Sequence, residues 1–204
     1  MSYVLVVAGH AGTGKNTLVE RMWPRLREFT PNGLSFVDKD TLGAPLVRWA
    51  MQRLTRNEND RDSPEYQQHV RALEYQAVTD MAKQQLGLGH SLVLCAPFSR
   101  ELSSPQAFAT WASAWSPVPT WVVWCDISPD EAFRRITNRA HPMDAYKLAH
   151  WSVYAQKRVT PEWLLSDPRV LCVDQQADQS LRVAQWVESH VKVGHPLQSL
   201  ELAA

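Results

Sequence analysis

The sequence predicts an α/β fold in one domain, a parallel sheet with helices on both faces. Three observations predict it. Five apolar runs alternate with segments of helical periodicity, the order that lays strands side by side and helices across them. The first run, Tyr3 to Ala8, passes through a glycine-rich bend directly into a helical pattern. The length, 204 residues with 45% hydrophobic and 21% charged, suits one domain with a sizeable core.

The elements follow in order. After the first strand and its loop, a helix runs to about Arg27 with Leu18, Met22 and Leu26 on one face. Pro31-Asn32-Gly33 is a turn. Leu34 to Val37 is the second strand and ends in Asp38-Lys39-Asp40, before a helix carrying Leu46, Val47, Ala50, Met51 and Leu54. Residues 55–63 are polar throughout and predict an exposed loop. Ser63 as N-cap and Pro64 at the first helical position open a long helix to about Leu86, stopped by Gly87 and Gly89. Ser91 to Cys95 is the third strand, Pro105 to Trp115 a helix, and Thr120 to Asp126 a fourth strand rich in aromatic and β-branched residues. Ser128-Pro129-Asp130-Glu131 opens a helix as a capping box, carrying Arg134, Arg135 and Arg139. Pro142 interrupts it, a further helix covers about Asp144 to Arg158, Val170 to Val173 is the fifth strand, and Ser180 to Val191 is the closing helix. A domain over 1–194 with a frayed tail at 195–204 is expected.

Lys+Arg and Asp+Glu both number 21. A neutral chain has no global attraction to nucleic acid or an anionic membrane, so a polyanion site must be local. No apolar run approaches 18 residues and the first one feeds the loop, which predicts a cytoplasmic protein without a membrane partner. Cys95, Cys125 and Cys172 lie far apart within apolar runs and predict buried thiols on strands, with no CxxC pair. Of nine tryptophans, Trp49, Trp111, Trp115, Trp121, Trp124 and Trp186 sit at core spacing.

The loop Gly9-His10-Ala11-Gly12-Thr13-Gly14-Lys15-Asn16-Thr17 carries the chemistry. Glycines let the backbone curl so that successive N–H groups face an anion. The following helix adds the positive end of its dipole, and Lys15 adds a mobile charge for the outer phosphates. Gly9-x4-Gly14-Lys15 is the P-loop (Walker A) pattern up to its last position, where Asn16 replaces Ser or Thr. An amide oxygen is also a hard, neutral ligand, so Asn16 is a candidate magnesium ligand, with Thr17 one residue late.

In a parallel sheet the ligand sits at the carboxyl ends of the strands. Gly9 to Lys15, Asp38 to Asp40, Pro97 to Arg100, Asp126 and Asp174 should therefore share one rim. If the chain stays extended, Asp38 and Asp40 point to one side, one carboxylate to hold magnesium through water and the other to accept a proton from an attacking hydroxyl. The alternative is a solvated strand end with a helix cap at Asp40 or Thr41. Strand three, Leu92 to Pro97, ends without the Walker B acid that an energy-transducing ATPase requires, which leaves Asp38 as the metal carboxylate. Arg135 and Arg139, at i and i+4, form either a polyphosphate clamp or a solvated basic face; Arg134 is expected on the surface. Arg71 with Tyr66, Glu74 and Tyr75, and Arg100 beyond Pro97-Phe98, are acceptor-recognition candidates or ordinary surface groups. His141, Asp144 and Lys147 fall in a lid segment.

On Gly9-x4-Gly14-Lys15, Asp38-x-Asp40 and Arg135-x3-Arg139, the chain from about Ser2 to Val191 resembles the P-loop small-molecule kinases: gluconate, shikimate and adenylylsulfate kinases and the zeta-toxin-like ATP-binding proteins. The resemblance implies a three-layer sandwich with strand order 2-3-1-4-5 and a helical lid at about 138–158. It implies transfer of the γ-phosphoryl group of ATP. Lys15 and Arg139 would hold the γ-phosphate, Asn16 and Asp38 magnesium, and Asp40 would be the base. The departures are Asn16 and the missing Walker B acid.

Three functions follow as expectations: a kinase for a small-molecule hydroxyl, a kinase acting on a nucleotide or modified base within nucleic acid, and a nucleotide-binding regulator without transfer. Neutral charge disfavours the second, whose only basic patch is Arg53 to Arg61. No Asn-Lys-x-Asp guanine motif is present, so ATP is the expected nucleotide. A monomer or homodimer is expected.

Overall fold

The computed structural model describes residues 2–193, so the predicted tail at 195–204 lies outside the described residues. Five strands, β1 (Val4–Ala8), β2 (Leu34–Asp38), β3 (Ser91–Cys95), β4 (Thr120–Asp126) and β5 (Val170–Asp174), form one sheet in the order β2-β3-β1-β4-β5. All four pairings are parallel. The expected sheet and strand order are therefore both present. β1 lies at the centre because both of its faces are apolar. Val4, Val6 and Ala8 enter one core with Leu92, Leu94, Val122 and Trp124. Leu5 and Val7 enter the other with Leu18, Met22, Leu26 and Val123. A strand covered on both faces has no solvent side, which is why β1 is a continuous apolar run.

Helices α1 (Lys15–Glu28) and α9 (Ser180–Val193) cover one face. α4 (Arg71–Gly87) and α5 (Pro105–Ala112) cover the other. α2 (Lys39–Leu42) and α3 (Ala44–Thr55) follow β2, α6 (Pro129–Arg139) follows β4, and α7 (Ala145–Ala149) and α8 (Trp151–Gln156) lead back toward β5. Ser104 and Ser128 cap α5 and α6 through their hydroxyls.

Several expectations are corrected. The chain does not stay extended through Asp38-Lys39-Asp40. Helix α2 begins at Lys39, and Asp38 is its cap, accepting from the N–H groups of Asp40 (2.6 Å) and Thr41 (3.1 Å). The long helix after Pro64 contains a π turn at Tyr66–Val70 before α4. The lid segment is two short helices, because His150 breaks the run. Trp49 is 64% exposed with Leu46 and Leu54 beside it in sequence, so α3 buries only Val47 and Met51. Cys95 and Cys125 are buried and Cys172 half-buried, each on a strand.

The polar loop at 55–63 is not uniformly exposed: Asp60, Arg61 and Ser63 are buried. The Asp60 carboxylate accepts from the N–H groups of Asp62 (3.1 Å) and Ser63 (3.0 Å), a tight local turn that drives Arg61 inward.

Candidate active site

The loop between β1 and α1 is held by its own backbone and by the lid. Gly9 has φ 137°, and a Cβ there would lie 2.2 Å from the Cys125 carbonyl oxygen, so only glycine fits against β4. Thr13 is fully buried and donates to the His10 carbonyl (2.9 Å). Lys15 folds back over the loop and donates from Nζ to the carbonyls of Gly9 (2.8 Å) and His10 (3.0 Å). Burial lowers the Lys15 pKa, while the Cys95 and Cys125 thiols and Asp40 oppose that and Arg139 adds to it. Lys15, Asp40 and Arg139 thus share one electrostatic neighbourhood.

Asn16 and Asp38 meet directly. Asn16 Nδ2 donates to Asp38 Oδ2, and Asn16 Oδ1 accepts from Cys95 Sγ (3.1 Å). Asp38 Oδ1 is the α2 cap. Both residues expected to hold magnesium therefore have their polar atoms engaged. Magnesium retains several waters and is commonly held through them. The pair fits that role, with Asn16 able to exchange its weak thiol partner for a water. Thr17 is exposed on α1.

Asp40, at the second position of α2, is half-exposed; its Oδ1 accepts from Lys39 Nζ (2.6 Å). Burial would raise its pKa, but Lys39, Arg61 and Lys15 together bring it below the ordinary value. Lys39 Nζ also donates to Glu74 Oε2 (3.0 Å). Glu74 accepts in addition from Arg61 Nη1 and the Tyr66 hydroxyl.

The predicted arginines divide. Arg135 donates from Nε to Glu131 (2.6 Å) and from Nη2 to the Gln175 carbonyl (2.8 Å). Its Nη1 lies 3.6 Å from where a Cβ on Gly14 would stand, so it borders the loop. Arg139 is half-exposed and forks onto Asp144 (2.6 and 2.7 Å), and that bond is the main cause of its raised pKa. Arg134 pairs with Glu131 on the surface, as expected. Arg71 is buried, bidentate to Glu101 (3.1 and 2.9 Å) and 3.9 Å over the Tyr75 ring, which commits its guanidinium within the protein. Arg100 is exposed and donates to Gln67 (3.1 Å).

Lid contacts on the loop were not legible in the sequence. The Tyr154 hydroxyl accepts from the Ala11 N–H (2.9 Å), and Arg158 Nη1 donates to the Ala11 carbonyl (2.7 Å). Lys147 donates to Asp62 (2.6 Å) on the loop before α4. Only the arginine-rich character of 134–158 hinted at such partners. Over the ends of β4 and β5 lies an open cleft of about 550 Å³, with Trp124, Asp126, Arg158, Thr160 and Gln176 in its wall. A second, about 510 Å³, shares Ser128 and Gln176 with it and reaches Arg135.

His10 packs edge-on to Trp124. Burial first, then the Arg158 charge, lowers its pKa to about 4. The unfolded chain binds this proton near pH 6.5 and the folded chain only near 4. Its contribution to stability is thus complete above pH 6.5 and is lost as pH falls toward 4, on the order of 2 kcal/mol. Urea unfolding of wild type and His10→Gln at pH 7.5 and 4.5 checks this; the variant should show the smaller decline.

Among the described residues no helix is long and apolar enough to cross a membrane, and no cluster of three or more His, Cys, Asp or Glu has metal-binding geometry. A search of curated proteins finds no match. Among solved structures, a candidate kinase from Chloroflexus aurantiacus J-10-fl is 22% identical, with a TM-score of 0.64 over 93% of this chain and 98% of that one. A sugar kinase from Janibacter sp. HTCC2649 is 17% identical, with a TM-score of 0.59 over 95% and 98%. A third structure, APE1195, is 20% identical, with a TM-score of 0.55 over 94% and 96%. At these identities the likeness establishes the fold. The AAA domain profile matches residues 4–161, and with the P-loop, the parallel order β2-β3-β1-β4-β5 and these neighbours in agreement, the chain belongs to the AAA domain family and has the P-loop NTPase fold.

Proposed function

We propose that this protein is an ATP-dependent phosphotransferase that moves the γ-phosphoryl group to a hydroxyl of a small-molecule acceptor. The observation that carries the reading is that the P-loop with Lys15 follows the carboxyl end of β1 and Asp40 follows that of β2, at one rim of the parallel sheet, with Asp40 kept anionic by its cationic neighbours. Two of the structural neighbours being kinases supports it. The nucleoside occupies the clefts over β4 and β5, whose volume suits it. The phosphates lie on the backbone of Gly9 to Thr17, and Lys15 exchanges its loop carbonyls for the γ-phosphate. Residues 138–158 act as a lid within one domain over 1–194, with Arg135 and Arg139 closing on the charge that develops during transfer. Asp38 and Asn16 would hold magnesium through water, and the ion would neutralise part of the phosphate charge. Asp40 takes the proton of the acceptor hydroxyl. Asp38 and Asp40 face the acceptor, and Arg100 lies at its outer edge.

One observation favours a second reading, a nucleotide-binding regulator without transfer: Arg139 is held by Asp144 rather than free for phosphate. A nucleic-acid substrate loses support, because Arg61, part of the only basic patch, is buried on Glu74. The test is ADP release from ATP and magnesium in the presence of pooled hydroxylated metabolites. At least one pool should raise it above the unstimulated rate, and Lys15→Ala should lower the stimulated rate about 100-fold. If no pool exceeds the Lys15→Ala control, the kinase reading fails.

A further inference from the structure

Beyond its share in keeping Asp40 anionic, Arg61 touches no group in the reaction derived above, yet among the described residues it carries the most buried donors without a partner. It is only 6% exposed. Its Nη1 is spent on Glu74, while Nε and Nη2 are buried without any hydrogen-bond partner. Those two N–H groups point the same way and form the side-on edge of the guanidinium, which matches two oxygens of a carboxylate or phosphate. A buried donor left unmatched is costly, and more so when it is charged. Two on one guanidinium, side by side, mark a place where an oxyanion belongs.

The position is specific. Asp40, Lys39, Glu74 and Arg61 form a continuous chain of ion pairs, and the Arg61 charge contributes to holding the Asp40 carboxylate anionic. This edge therefore lies on the acceptor side of the site, joined to the group assigned as base through Glu74 and Lys39. The next residue, Asp62, is held by Lys147 of α7 (2.6 Å). That contact joins the loop carrying Arg61 to the lid.

We infer that the acceptor carries an oxyanion, a carboxylate or a phosphate monoester, and that the Nε–Nη2 edge of Arg61 binds it. This rests on the kinase reading for the word acceptor, but anion binding can be measured without turnover. The full chain, ¹⁵N-labelled, is loaded with a non-hydrolysable ATP analogue and magnesium to fill the P-loop, then titrated with acetate, methyl phosphate or methanol. The Arg61 Nε–H resonance is assigned by its loss in Arg61→Lys, which keeps the charge facing Glu74 but removes the fork. It should move saturably with acetate or methyl phosphate and not with methanol; whichever anion binds more tightly identifies the carboxylate or the phosphate class. No movement with either anion, or a fully hydrated Nε–H, overturns the inference.

Should Arg61→Lys fail to fold, the pair Arg61→Met with Glu74→Gln removes both charges together and serves the same assignment. Once an acceptor is found by turnover, its KM should rise roughly 10- to 100-fold in Arg61→Lys with kcat changed far less. A neutral acceptor unaffected by Arg61→Lys sinks this inference and leaves the kinase reading intact. Anion binding without any phosphoryl transfer does the reverse.

Discussion

Asp40→Asn should lower turnover by roughly 10²- to 10⁴-fold, the range of a lost general base, while leaving the fold intact. The amide keeps the shape of the side chain and its acceptor oxygen toward Lys39, whose ammonium retains Glu74 as a second partner. Asp40 is half-exposed, so the loss of its ion pair should cost under about 1 kcal/mol. What disappears is the ability to take a proton. The pH profile gives the second readout. The Asp40 pKa lies below its ordinary 3.8 because Lys39, Arg61 and Lys15 outweigh burial. The base form is thus fully present across the neutral range, and the wild-type rate should show no acid limb from this group above about pH 4. An Asp40→Asn enzyme with turnover within threefold of wild type removes Asp40 as base. If nucleotide binding then persists without transfer to any acceptor, the regulator reading gains.

The parts of this molecule legible in its sequence are those fixed by neighbours along the chain. β1 and the P-loop are contiguous, and the apolar runs of β1, β3 and β4 mark both their own position and their two-sided burial, while those of the edge strands β2 and β5 mark position with only partial burial. The convergence of Gly9 to Lys15 with Asp38 and Asp40 follows from strand order alone. What stayed hidden depends on partners distant in sequence. Glu74 joins Lys39, 35 positions away, to Arg61, 13 positions away, and nothing in a polar stretch announces that Arg61 is buried. Arg71 looked available for substrate until Glu101 took its Nη edge and the Tyr75 ring one of its faces. The cap, expected at Asp40 or Thr41, falls at Asp38 because the turn into α2 begins one residue after the last paired strand position. Tyr154 and Arg158 reach Ala11 across more than 140 positions, a distance over which helical periodicity carries no information.

Glu74→Ala should be the most damaging substitution to stability, costing about 3–5 kcal/mol, the range for breaking a buried ion pair by removing one partner. The Glu74 side chain is 1% exposed, and its two oxygens satisfy Lys39, Arg61 and the Tyr66 hydroxyl. Alanine would leave the Arg61 guanidinium with no partner at all and the Lys39 ammonium with Asp40 alone. Gly43 packs close against the Glu74 side chain, so that a Cβ there would lie 3.1 Å from Glu74 Cγ. Typical domains have only 5–15 kcal/mol in hand, so guanidinium unfolding should register the loss as a large fall in midpoint. Glu74→Gln keeps an acceptor and the shape but removes the charge, and should fall between wild type and alanine. The same pair separates structure from chemistry. With Glu74 neutral, Lys39 turns wholly to Asp40, which deepens the anionic state of the base and weakens it as a proton acceptor. A folded Glu74→Gln protein should therefore lose turnover while binding nucleotide normally. If Glu74→Ala unfolds at the wild-type midpoint, the cluster does not stabilise the fold, and the account of Arg61 as a cation held in place by Glu74 falls with it.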